Sequence, residues 1–140
     1  MSGPTQGWRA VEAAVADAPS DRCRRIAVAA AERALDAWPG HPPTLDASLA
    51  QALLGPVAEG LRAEVQGIAE ELDARYLDLY DEEKPSGRTP GWETAFRRAR
   101  AAAAVVSALD DDARLAASGA LYEASYALDD DLIPLAGEVA

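Results

Sequence analysis

Large apolar residues recur at steps of three and four between Pro56 and Glu83: Val57, Leu61, Val65, Ile68, Leu72, Tyr76 and Leu79. That spacing lays one continuous stripe along a helix and leaves acids and arginines on the other faces. Pro56 suits a first helical turn, and Lys84-Pro85-Ser86-Gly87 ends the pattern. A helix of about 25 residues extends close to 40 Å at 1.5 Å per residue. The pattern therefore predicts a long central helix, about residues 56–83, as the spine of a small all-α domain.

The remaining chain supplies helices to pack on it. Trp8, Val11 and Val15 mark a short helix from Gly7 to Asp17, broken by Ala18-Pro19. Ser20 is a good N-cap for a second helix that ends near Trp38-Pro39-Gly40, with Cys23, Ile26, Ala27, Ala30, Ala34 and Trp38 on its inner face. Thr44 caps a third, from Leu45 to Leu54, and Thr89-Pro90 starts a fifth that carries Trp92, Phe96, Ala99, Ala103 and Val106 on one side. Asp110-Asp111-Asp112 opens a sixth, since carboxylates complement a helix N-terminus, and Asp129-Asp130-Asp131 is expected to repeat the device. Gly119, between Ala116 and Ala120, permits a close helix crossing. The expectation is one domain over residues 1–140, a bundle of five to seven helices, with a flexible loop at 82–89 and a short C-terminal tail at 132–140.

Composition strengthens the helical reading. Alanine accounts for 33 of 140 residues, and it has the highest helix propensity. The 24 acids exceed the 13 bases, for a net charge of −11. Such a chain repels phosphate backbones and anionic lipid, so neither nucleic acid nor membrane is an expected partner. A basic protein is. Twelve of the thirteen bases are arginine, which reads as coding bias. With Cys23 as the only cysteine no intramolecular disulfide forms, no apolar run approaches the ~20 residues of a membrane span, and the opening MSGPTQGW lacks a signal peptide's pattern. A cytoplasmic protein is expected.

Candidate chemistry is sparse. Consecutive aspartates point around a helix start, whereas a shared metal site needs carboxylates on one face, so Asp110 to Asp112 read as caps first and a partner-binding patch second. Glu70, Glu71 and Asp73 lack the histidines of a di-iron bundle, because the one histidine, His41, sits in a proline-flanked loop. Cys23 lies on an apolar face with no base beside it. No phosphate cradle, nucleophile elbow or zinc spacing occurs. No cofactor and no catalytic residue are expected. Asp78, Tyr80, Asp81, Glu82 and Glu83 are the main candidate contact patch, since aromatics anchor interfaces and acids steer basic partners.

The stretch Arg24-Arg25-Ile26-Ala27-Val28-Ala29-Ala30-Ala31-Glu32-Arg33-Ala34-Leu35-Asp36-Ala37-Trp38 resembles a helix of small alanine-rich immunity proteins from bacterial polymorphic-toxin systems. The alanine-rich helices around Ala99 to Leu109 and Gly119 to Leu128 have a similar texture, and together these cover about a third of the chain. The sequence departs from the family pattern at Ala30 and Asp36, where that helix has cysteine and proline. The resemblance implies an immunity or inhibitor protein that blocks a basic toxin or effector, and it assigns no functional residue here. The alternative is a small helical enzyme or ligand-binding bundle with an apolar pocket lined by Trp92, Phe96, Tyr122 and Tyr126. A homodimer through the alanine-rich faces of the Arg97 and Tyr122 helices is compatible with either.

Overall fold

A computed structural model describes residues 7–83 and 91–139. These form seven helices in the order α1 (Trp8–Val15), α2 (Ser20–Asp36), α3 (Pro43–Leu54), α4 (Glu59–Glu83), α5 (Trp92–Ala108), α6 (Ala113–Leu128) and α7 (Leu135–Glu138). No strand occurs among the described residues, so the all-α single-domain expectation holds. The Thr89-Pro90 start and residues 84–89 of the expected loop lie outside the described residues. Glu82 and Glu83, expected to begin that loop, instead complete α4.

Alanine determines where the centre lies. On α2, α5 and α6 the faces bearing Ala27, Ala30, Ala34, Ala101, Ala104, Ala108, Ala116, Ala120 and Ala124 are buried, and α6 packs extensively on both α2 and α5. Their methyl groups set a close spacing, and Ile26, Leu35, Val105 and Leu121 fill the gaps. A close approach of α6 to α5 occurs at Gly119, where a Cβ would stand 2.9 Å from both Cβ and Oγ of Ser107 on α5. The alanine faces expected to join two subunits are thus used inside one chain.

The long helix has a different place from the expected spine. Its neighbours are α5 and α3, and only Val65 and Ala69 along it are buried among the described side chains. Leu61, Ile68, Leu72, Tyr76 and Leu79 are half-buried. An amphipathic stripe shows that something covers a helix without showing how many helices do; here α5 covers most of it. Gly67, inside α4, has nothing within 4 Å of an added Cβ. Glycine costs about 1 kcal/mol relative to alanine within a helix. Gly67→Ala is therefore expected to stabilise the protein by roughly that amount in chemical denaturation.

Helix ends refine the cap assignments. Pro19 and Pro42, not Ser20 and Thr44, occupy the N-cap positions of α2 and α3, with Cys23 N–H donating to Pro19 O at 2.9 Å and Pro43 taking the first turn of α3. Proline there lacks only an N–H that has no intrahelical partner anyway. Gly55, at φ +155°, ends α3, and α4 begins at Glu59, three residues after Pro56. Asp112 caps α6 as expected: its Oδ1 accepts the N–H groups of Arg114 and Leu115 at 3.0 and 3.1 Å. The second aspartate run does not open a helix. Asp129 closes α6 in the left-handed region at φ 53°, and Asp131 Oδ1 accepts the N–H of Ile133 in the turn that follows.

Arginines finish the opposite ends. Arg24 and Arg62 donate to the carbonyls of Ala108 and Leu109 where α5 ends, at 2.8 and 2.6 Å. Arg22 holds Ala136 O and Val139 O at 2.7 and 3.0 Å, which docks the tail, with Leu132, Leu135 and Ala136 buried. Those carbonyls have no intrahelical donors, so these cations do structural work that a compositional account of arginine misses.

Candidate protein-binding surface

Charge is distributed unevenly along the chain. Between Glu59 and Glu83 stand nine acids and two arginines, so α4 carries seven of the eleven net negative charges. The longest helix, of which only Val65 and Ala69 are buried among the described side chains, is thus the most acidic. At its C-terminal end Asp78, Asp81 and Glu82 are exposed and Tyr80 is half-buried; Glu83 is helical, and its side chain lies outside the described set. Tyr80 meets Trp92 of α5 edge-on at 5.0 Å, while Tyr76 packs on Phe96 at 5.0 Å. The candidate patch therefore rests on an aromatic seam between α4 and α5.

The second acidic patch stands elsewhere. Asp111 pairs with Arg62 at 3.0 Å, near the start of α4, and about 24 Å of helix separates Arg62 from Asp78. Asp110 Oδ1 accepts the N–H of Asp112, which itself caps α6. Asp110, Asp111 and Asp112 are exposed, but each holds a structural partner, and they do not join the α4 patch.

The four aromatics expected to line one pocket fall into two clusters. Trp92 and Phe96 belong to the α4–α5 seam. Tyr122 and Tyr126 meet edge-on 5.2 Å apart on α6, with Trp8 of α1 against Tyr122 at 5.4 Å. A groove of about 690 Å³ exists instead between the α1–α2 turn and the start of α6, where Glu12, Asp21, Arg24, Arg114 and Leu115 contribute its mixed-charge walls. Among the described residues no group of three His, Cys, Asp or Glu is placed to hold a metal. Cys23 is buried, its thiol 3.5 Å from Ala18 O.

Arg100 was not singled out by the sequence pattern. Its guanidinium bridges Asp73 of α4 and Glu123 of α6, the latter at 2.8 Å, and lies 5.7 Å over the Phe96 ring. Burial pushes the Glu123 carboxyl above its ordinary range, and the attraction of Arg100 opposes this only in part. Spacing carried a signal: Arg100 stands four residues after Phe96, on the inner side of α5, whereas Arg97 and Arg98 face outward.

His41 is a structural residue. Its Nδ1 lies 2.9 Å from Trp38 O and its Nε2 2.7 Å from an Asp46 carboxylate oxygen. The Trp38 carbonyl above all, with Asp46 adding to it, raises the imidazolium pKa above its ordinary value. A raised folded pKa means the contribution is complete below the unfolded value, near 6.5, and is lost as pH rises through the folded one. An NMR titration of the ring should find the higher pKa, and Asp46→Asn should lower it without restoring the ordinary value, because the Trp38 carbonyl remains.

No helix among the described residues is long and apolar enough to cross a membrane. No protein-family model matches this chain, and it matches none of the curated proteins or solved structures.

Proposed function

We propose that this protein is an acidic binding domain of the immunity or inhibitor kind, which captures a basic toxin or effector in the cytoplasm through the outer end of α4. The observation that carries the reading is the segregation of charge: seven of eleven net negative charges on one long helix, most of whose side chains are exposed or half-buried. A field concentrated on one projecting element speeds encounter with a cationic cleft and orients the complex. Asp78, Asp81 and Glu82 supply the charge, and Tyr80, held against Trp92, supplies a rigid aromatic contact. No observation favours the small-enzyme alternative, since its four aromatics line no common space.

Affinity capture from the source cells at low salt tests this. One stoichiometric basic protein, released by raised salt, is the expected result; recovery of the bait alone at low salt would contradict it.

A further inference from the structure

Arg22, Arg24 and Arg62 donate to backbone carbonyls at helix ends, and Arg33 and Arg100 pair with carboxylates. Arg97 and Arg98 do neither among the described residues, although acids outnumber bases 24 to 13 in the chain. They share one face of α5 with Thr94 and Ala101, at steps of three and four residues. That face borders a cavity of about 290 Å³ where α2 and α6 end, with Trp38 and Leu128 in its walls. No carboxylate lines it. Cavities of about 690, 310 and 260 Å³ elsewhere on the molecule, by contrast, all have Asp111 in their walls. The Arg98 guanidinium lies 5.9 Å over the Trp38 ring, a contact that orients it. The end of α2 beside it closes on itself, with Ala37 N–H donating to Ala34 O at 3.3 Å and Trp38 N–H to Leu35 O at 2.9 Å. Two neighbouring guanidiniums thus repel each other at the mouth of a cavity whose wall holds no opposite charge.

We infer that this cavity binds a small phosphate monoester, its phosphoryl oxygens on Arg97, Arg98 and the Thr94 hydroxyl and its organic body against Trp38 and Leu128. The charges match, because such a group carries about −1.5 to −2 near pH 7 and meets two guanidiniums. Its three terminal oxygens suit two guanidinium forks and a hydroxyl, whereas a carboxylate offers two. Volume limits the body, since about 290 Å³ lies at the lower edge of the roughly 300–1,000 Å³ of ligand sites. The net charge of −11 sets a similar limit: an extended polyanion would meet the surrounding acids, and a single phosphoryl group held by the two arginines does not. The site uses no residue of the α4 surface, so it stands or falls apart from the proposed binding function.

The probe is phenyl phosphate, titrated at constant ionic strength and pH 7.5 into the full chain and followed by the tryptophan indole N–H signals in NMR. Trp38→Phe identifies the Trp38 signal. That signal should move and saturate, with a half-point near about 1 mM, while those of Trp8 and Trp92 stay in place. Inorganic phosphate should bind at least about fivefold more weakly, and benzoate likewise. The double variant Arg97→Gln, Arg98→Gln should lose at least about tenfold in affinity, and Arg9→Gln, Arg75→Gln, with the same charge change at exposed sites elsewhere, less than about twofold. Circular dichroism checks folding. Arg97→Gln alone, which leaves the Arg98–Trp38 contact in place, should cost about threefold and keeps the test valid if the double variant unfolds. No movement of the Trp38 signal up to about 10 mM, or equal losses in the two double variants, would overturn the site. Inorganic phosphate binding as tightly as phenyl phosphate would reduce it to an adventitious ion only, and benzoate doing so would overturn the choice of a phosphoryl group.

Discussion

Arg100→Ala should cost roughly 2–3 kcal/mol at pH 7, while Glu123→Gln should cost less than about 1 kcal/mol. The asymmetry follows from the cluster's composition. One guanidinium, its side chain 21% exposed, serves two carboxylates on two different helices, Asp73 at 43% and Glu123 at 22% exposure. Removing the cation leaves two acids facing each other in a partly desolvated place. Removing one acid's charge leaves Arg100 paired with Asp73. The exposure of Asp73 keeps the expected loss below the 3–5 kcal/mol typical of fully buried pairs.

The pH dependence gives a second readout of the same cluster. The folded Glu123 carboxyl titrates above its unfolded value, so its ionisation opposes folding. That penalty is absent below the unfolded pKa and grows as pH rises through the folded one. Without Arg100 the folded pKa rises further. The Arg100→Ala deficit should therefore be largest at neutral pH and shrink as pH falls toward 4, in denaturation curves taken at both. A deficit independent of pH, or one equalled by Glu123→Gln, would contradict this assignment.

Gly119→Leu should destabilise by about 3 kcal/mol, the upper range for overpacking, or prevent folding. The Cβ position is already 2.9 Å from the Ser107 Cβ, and only separation of α5 from α6 makes room for more. Those two helices hold most of the alanine core, so the strain cannot be relieved locally. The contrast with Gly67 is the check. Both glycines are helical, yet Gly67→Ala is expected to raise stability and Gly119→Leu to lower it, because one faces open space and the other a neighbouring helix.

Much of this fold was legible in the sequence. The stripe at Leu61, Val65, Ile68 and Leu72 announced α4, Asp112 announced the start of α6, and Gly119 announced a close crossing, because each depends on spacing or on one residue's local chemistry. What escaped depends on three-dimensional arrangement. The longest apolar stripe marked a helix with only two buried side chains among those described, Val65 and Ala69, since periodicity records an inner face and not the number of layers outside it. Trp92 with Phe96 and Tyr122 with Tyr126 looked alike in sequence, yet α5 and α6 turn them toward different neighbours. The second aspartate run looked like the first, but the left-handed turn at Asp129 gave it a terminating role. In the candidate surface, the exposed acids at Asp78, Asp81 and Glu82 were legible, whereas the concentration of net charge on one outer helix needed the packing.

The central claim is that charge on α4, and not the net charge of the whole chain, captures a basic partner. The measurement that tests it most directly is low-salt capture with two charge-matched triple variants. One replaces Asp78, Asp81 and Glu82 with lysine. The other replaces Glu12, Asp17 and Asp36, exposed acids on α1 and α2 or beside them, with lysine. The account predicts that the first loses the partner and the second retains it. Equal loss in both would show that overall charge suffices, and retention by the first would show that the end of α4 is not the binding surface.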